Sequence, residues 1–250
     1  MISVVTVWTI RIEDEVSAID RHWRVLDQAE RTRAGRYRRE ADRQRFVLAR
    51  GTLRHLLSNA LGMKPEAIVL SSNSYGRLEV RCQPMLSFNT SHAGDWVLHA
   101  FSTVGRVGID VEQLVENWAE YHATATVLAP AEGEWLMSLP ESERCAAFTT
   151  LWVRKEAYVK ALGVGLNRPP HEVCVWPFAP AGLAELASEG AFGPRQEQVS
   201  FCPIELGEGY AACVAFLGPA PKVHIRKYGV ADTATTADSG EACLTPPPGG

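Results

Sequence analysis

The chain has 250 residues, a net charge of −4, 46% hydrophobic and 22% charged residues. That length and balance allow one large or two small globular domains with a sizeable core, and no apolar run approaches the roughly 20 residues of a membrane span. Six scattered cysteines with no Cys-x-x-Cys pair argue against a disulfide frame or zinc site and suit free thiols in a reducing compartment, so a cytoplasmic enzyme is expected.

Residues 2–12 alternate apolar and polar positions, lack the basic flank of a signal peptide and read as a strand. The stretch 13–34 reads as partly helical. From Arg21 to Arg54 stand eleven arginines and no lysine against four acids; across the chain only five of the 25 basic residues are lysine. Arginine forks suit a grip on phosphate. The clearest helix is 39–61, with Phe46, Ala49, Leu53, Leu56, Leu57 and Leu61 recurring every three or four positions and Gly62 as its stop. Asn73-Ser74-Tyr75-Gly76-Arg77 carries turn chemistry. Strands are expected around Phe88, at 96–102 and at 107–112. Helices are expected near 117–138 and 141–163, then strands near 172–176, 198–205, 210–217 and 222–226. The tryptophans, Trp152 included, read as core. From Ala231 onward the composition is too polar and Pro/Gly-rich to order itself, so 231–250 is expected to be a disordered tail.

Three carboxylates stand out. On a strand, Asp110 and Glu112 share one face while Ile109 and Val111 share the other. Glu156 and Lys160, four apart, lie together on a helix, beside a stripe of Leu151, Lys155, Tyr158 and Leu162. Two acids that close repel unless a cation sits between them, and hard oxygen ligands suit Mg²⁺. Spacing alone leaves open a solvated strand edge and ordinary helix-surface pairing.

Gly108-Ile109-Asp110-Val111-Glu112 followed by Trp152-Val153-Arg154-Lys155-Glu156-Ala157-Tyr158-Val159-Lys160-Ala161-Leu162-Gly163 resembles the paired signature of the 4′-phosphopantetheinyl transferases, in the long, surfactin-synthetase-activating (Sfp-type) class. Leu86-Ser87-Phe88-Asn89-Thr90-Ser91-His92 resembles the Phe-Asn-x-Ser-His box of that class. The ordered triple covers roughly residues 30–220. The resemblance implies an α+β fold of two similar halves in a pseudo-twofold arrangement, with the active site in the cleft between them. The halves would be 1–112, binding coenzyme A, and 113–230, carrying the metal and catalytic helix.

It also implies a reaction: phosphopantetheine moves from coenzyme A to a serine of an apo acyl or peptidyl carrier protein, releasing 3′,5′-ADP. Mg²⁺, or Mn²⁺ in its place, would be held by Asp110, Glu112 and Glu156, with Glu156 as base and Lys160 stabilising charge. Ser91 is implied near the pyrophosphate and His92 near the 3′-phosphate. Arg50, and more weakly Arg45, are expected at the 3′-phosphate, with Arg43 and Arg54 mostly solvated. Arg33 and Arg36 stand near basic positions of the adenosine end. Arg77-Leu78 occupies the place of the family's usual Lys-Pro; it keeps a charge for coenzyme A and loses the proline. Phe88 and Asn89 are expected to fix strand and turn. Lys155 falls on the apolar stripe, and both a structural and a functional role stay open. Trp118 and Tyr121, in the stretch 114–128, are the candidate anchors for the carrier. Neither a nucleic-acid partner nor a membrane is expected, and a monomer is. The competing readings are a Mg²⁺-dependent nucleotide pyrophosphohydrolase and a non-catalytic coenzyme A-binding paralogue.

Overall fold

The computed structural model describes residues 4–81, 85–117, 127–163, 169–176, 182–186, 197–218 and 220–229. The chain is α+β. Its first half runs β1 (Val4–Arg11), α1 (Ile12–Glu15), α2 (Ile19–Arg24), α3 (Gln28–Ala34), α4 (Glu40–Leu61), β2 (Leu70–Ser72), β3 (Leu78–Val80), β4 (Ser87–Ala93), β5 (Trp96–Ser102) and β6 (Val107–Gln113). Its second runs α5 (Pro130–Ser138), α6 (Glu141–Leu162), β7 (Gly182–Leu186), β8 (Glu197–Pro203), β9 (Tyr210–Leu217) and β10 (Lys222–Lys227). The two halves repeat a theme: α4 and α6 are both 22 residues long, and each stops at a left-handed glycine, Gly62 or Gly163. Four-stranded sheets follow the orders β10-β1-β5-β4 and β6-β9-β8-β7.

Two compact units form. One comprises Met1–Trp8, Ser71–Gly94 and Leu98–Arg226; the other Thr9–Leu70, Asp95–Val97 and Lys227–Gly250. Within the first unit, β6 pairs with β9 and packs against α6. Val107, Ile109 and Val111 enter one apolar cluster with Val5, Val7, Leu98 and Phe216. Gly108 on the opposite face lies against the α6 backbone: a Cβ there would sit 2.1 Å from the Ala157 carbonyl oxygen and 2.4 Å from the Ala161 nitrogen. Beneath α6, Leu151, Val153, Ala157, Tyr158 and Ala161 pack with Val199, Phe201 and Ala215.

Strands β4 and β6 stand side by side without a shared ladder, because β4 ends one sheet and β6 begins the other. Alternate side chains of β4 bridge the gap. Ser87 Oγ accepts from the Val107 N–H at 3.1 Å, and Asn89 Oδ1 accepts from the Ile109 N–H at 2.9 Å. These bonds satisfy backbone donors that an edge strand would leave to water.

Two expected elements differ. The stretch 172–176 is not a strand, although Val173 and Val175 are buried in the α6 cluster. Its polar groups find side chains instead: the Val173 carbonyl accepts from Lys155 Nζ, and the Val175 N–H donates to Glu132 Oε1 at 2.7 Å. Within 117–138, the described helix begins at Pro130, whose ring pre-sets the first turn.

In the second unit, α3 opens with a reciprocal capping box between Asp27 and Glu30. Val25, Leu26, Ala34, Phe46 and Val47 form its core cluster. Arg54, expected at the surface, is fully buried. Its guanidinium donates to Glu30 at 2.7 Å, to Asp27 at 2.9 Å and to the Pro65 and Ile68 carbonyls. Two carboxylates and two carbonyls meet nearly every direction of its planar donor fork.

Candidate active site

Asp110 sits at the centre of the first unit's polar residues, 2% exposed. Strand alternation places it with Gly108 and Glu112 on the face turned to α6. Its Oδ1 accepts from Lys160 Nζ at 2.5 Å and from Ser91 Oγ at 2.8 Å. Lys160 Nζ also donates to Ser91 Oγ at 3.2 Å. Asp110 Oδ2 is buried with no hydrogen-bond partner. So the sequence's three separate motifs do meet: Ser91 from β4, Asp110 from β6 and Lys160 from α6.

Glu112 and Glu156 complete an electrostatically coupled group. Burial first, then the negative charges of Asp110 and Glu156, push the Glu112 carboxyl above the usual carboxylate range; a hydrogen bond from Trp152 and the charge of Lys160 oppose this. Burial likewise raises Glu156, with Lys160 pulling it down and Asp110 pushing it up. Among the described residues no three His, Cys, Asp or Glu side chains converge as a ready cage for a metal ion. Mg²⁺ does not require one, since it typically keeps several waters and takes one or two carboxylates together with substrate phosphates. A buried Asp110 oxygen without a partner, beside acids that repel one another, fits that demand. Lys160 is the counter-charge to Asp110 in this group of acids.

The other expected residues fall in varied places. Ser91 is buried, with its hydroxyl hydrogen bonded to Asp110; His92, next along the strand, is exposed on the other face. Arg77 directs its guanidinium at protein acceptors: the Lys160 carbonyl, Ser87 Oγ, and the Phe88 and Val107 carbonyls. Lys155 resolves as a structural residue, 1% exposed and paired with fully buried Glu132 at 2.6 Å. In the second unit, Arg45 pairs with Asp42 on its own helix at 2.9 Å. Arg50 lies over the Phe46 ring, and Arg33 does too. A groove of ≈ 540 Å³ is lined by Gln28, Ala29, Thr32, Arg33 and Arg36. Trp118, Tyr121 and the tail 231–250 lie outside the described residues.

Two residues were missed in the sequence. Trp152 is only half-buried and bonds Glu112, so it serves the site instead of filling the core. The signal was present, since Trp152, Glu156 and Lys160 are spaced four apart and share one helix face. Glu132, the partner of Lys155, reads in sequence as an ordinary first-turn acid after a proline, and nothing local betrays its ion pair.

Comparison with known proteins gives a family. Residues 106–215 match the model described as the 4′-phosphopantetheinyl transferase superfamily, and residues 13–104 match that of a 4′-phosphopantetheinyl transferase N-terminal domain. The 4′-phosphopantetheinyl transferase HetI of Nostoc sp. is 32% identical over 183 residues, covering 72% of this chain and 77% of the relative. The 4′-phosphopantetheinyl transferase Sfp of Bacillus subtilis is 27% identical over 150 residues, covering 60% and 66%. A relative from Synechocystis sp., 32% identical over 57% of this chain, is spanned over 59% of its own length. With its signature residues assembled on β4, β6 and α6, the chain belongs to the 4′-phosphopantetheinyl transferase superfamily, among relatives of the Sfp type.

Proposed function

We propose that this protein transfers the 4′-phosphopantetheine arm of coenzyme A to a serine hydroxyl of an apo carrier protein, with Mg²⁺ as cofactor and 3′,5′-ADP as product. The observation that carries the reading is Asp110: one buried oxygen is paired with Lys160 and the other has no hydrogen-bond partner, while Glu112 and Glu156 are raised first by burial and further by the charge of Asp110.

Asp110 and Glu112, with Glu156, would hold the cation, which when bound neutralises diphosphate charge and polarises its oxygens. The serine oxygen attacks the phosphorus bearing the pantetheine arm. A new O–P bond forms as the bond to the bridging oxygen of the diphosphate breaks, and the electron pair leaves with 3′,5′-ADP. Glu156 takes the serine proton. Its raised pKa suits the task, since a carboxylate of ordinary pKa is a weaker base. Lys160, whose ammonium sits on Asp110, would stabilise charge on the transferring or leaving phosphate. Ser91 orients both Asp110 and Lys160. On the first unit, His92 is the candidate for a coenzyme A phosphate; on the second, taken by itself, Arg50 and Arg45 are candidates for a phosphate, and the groove at Arg33 and Arg36 would suit an adenosine. Trp118 and Tyr121 would dock the carrier, whose acidic helix accounts for no charge match with Glu116 and Glu120 and so leaves apolar anchoring to aromatics.

The test is the intact mass of an apo carrier incubated with the protein, coenzyme A and Mg²⁺. The expected result is gain of one phosphopantetheine, abolished by EDTA, with Glu156→Gln at least about 100-fold slower and still folded. Release of free phosphopantetheine without carrier modification overturns transfer in favour of hydrolysis. Coenzyme A binding without turnover on any of a panel of acyl, peptidyl and aryl carriers overturns it in favour of a binding paralogue.

A further inference from the structure

We infer that Arg77 is a positioning residue that fixes the catalytic helix to the two strands bearing Ser91 and Asp110, and that it is not a ligand of coenzyme A. The inference rests on the transferase reading given above. Arg77 follows a tight turn in which Asn73 Oδ1 accepts from the Tyr75 and Arg77 N–H groups, and Gly76 adopts φ +82°. The turn aims the side chain inward. Nη1 donates to the Lys160 carbonyl; Nη2 faces Phe88 O at 2.9 Å, Val107 O at 3.0 Å and Ser87 Oγ at 3.1 Å.

Those acceptors are not a random set. Lys160 O belongs to the residue whose ammonium sits on Asp110. Phe88 lies on β4, three residues before Ser91; Val107 opens β6, three before Asp110. One planar cation therefore ties together all three elements that carry the site. It also answers a need of α6: the last four carbonyls of a helix have no internal partner, and the helix dipole favours positive charge there. Arg106 Nη1 on Leu162 O at 3.0 Å and Asn73 Nδ2 on Gly163 O at 3.2 Å complete the same cap. Both donors of Nη2 and one of Nη1 are thus committed to protein oxygens, and a phosphate could claim those only by breaking the frame.

Lysine cannot replace this fork. One ammonium donates from a single point and loses the separation between Nη1 on the Lys160 carbonyl and Nη2 on the Phe88 and Val107 carbonyls. Arg77→Lys is expected to lower kcat about 100-fold, the cost of roughly ångström misplacement of Lys160 and Glu156, while KM for coenzyme A and its calorimetric Kd stay within about twofold. Amide exchange should accelerate at Val159–Gly163 and Val107–Asp110 and stay unchanged in α4. For Arg77→Ala, millimolar guanidinium chloride should restore part of kcat, which also covers the case in which Arg77→Lys fails to fold. A tenfold or larger rise in KM and Kd for coenzyme A with kcat retained would overturn the inference, as would unchanged exchange in α6. Calorimetry and exchange need no turnover, so they decide the role of Arg77 even if the wild-type protein modifies no carrier.

Discussion

Replacing Lys155 by methionine tests whether the lysine beside Glu156 works in the chemistry or in the fold. Its ammonium lies 2.6 Å from Glu132 Oε2 and donates to the Pro170 carbonyl at 2.8 Å and to the Val173 carbonyl. Glu132 in turn accepts from the Ala129 N–H at 2.8 Å and the Val175 N–H at 2.7 Å. Burial pulls the lysine toward its neutral form, and Glu132 pulls it back. Methionine preserves the chain's length and apolar packing but leaves a carboxylate uncompensated in the interior. Breaking one side of such a pair costs about 3–5 kcal/mol. For a chain of this size that is a fall in Tm of about 6–20 °C. Glu132→Gln added to Lys155→Met removes the stranded charge and keeps an acceptor, so the double variant should regain a large part of the loss. Denaturant unfolding of the four proteins gives the coupling directly. A loss below about 1 kcal/mol in Lys155→Met, or full stability with turnover abolished, would refute the structural assignment.

Gly108→Ala should be among the most damaging single-atom additions, because its Cβ would strike the backbone of α6 at Ala157 and Ala161, not a movable side chain; turnover should fall about 100-fold with the apolar core intact by near-ultraviolet dichroism, and wild-type turnover would contradict it. Trp152→Phe removes the hydrogen bond to Glu112 and should weaken Mn²⁺ binding, measured by paramagnetic resonance, about 10-fold; unchanged affinity would detach Trp152 from the site. In the second unit, His22 and His55 are held at about 4 by burial, with Arg21 lowering both and Glu66 opposing at His55. His22 Nε2 is 3.1 Å from Glu15 Oε2, but burial decides its charge. The unfolded rings titrate near 6.5 and the folded ones lower, so their stability contribution is full above about pH 6.5 and lost as pH falls toward 4. The loss is about 3 kcal/mol per ring. Unfolding at pH 7, 6 and 5 should show His55→Gln losing less than the wild type, and parallel curves would refute the assignment.

The sequence made much of the fold legible because its long elements carry their own punctuation. The period of Phe46, Leu53 and Leu57 and the stop at Gly62 mark α4, and the same logic with Gly163 marks α6. Strands β5 and β9 fall on short, mostly apolar runs that are buried through their middles. The stretch 172–176 was misread because its buried valines alternate as in a strand while its backbone bonds go to Lys155 and Glu132. Arg54 was misread because arginine is normally solvated, and its four acceptors are spread from residue 27 to residue 68.

What the sequence determined by itself is the chemistry available: the acids of Val107–Glu112, the Trp152-Glu156-Lys160 face and the Ser87-Asn89-Ser91 alternation, each set by local periodicity. What only the tertiary structure decided is which partners those groups find. Whether an arginine meets phosphate or carbonyls, and whether a lysine meets substrate or a buried glutamate, depends on residues tens of positions away. Side-chain burial and long-range hydrogen bonds are properties of the packed chain, and no local pattern encodes them.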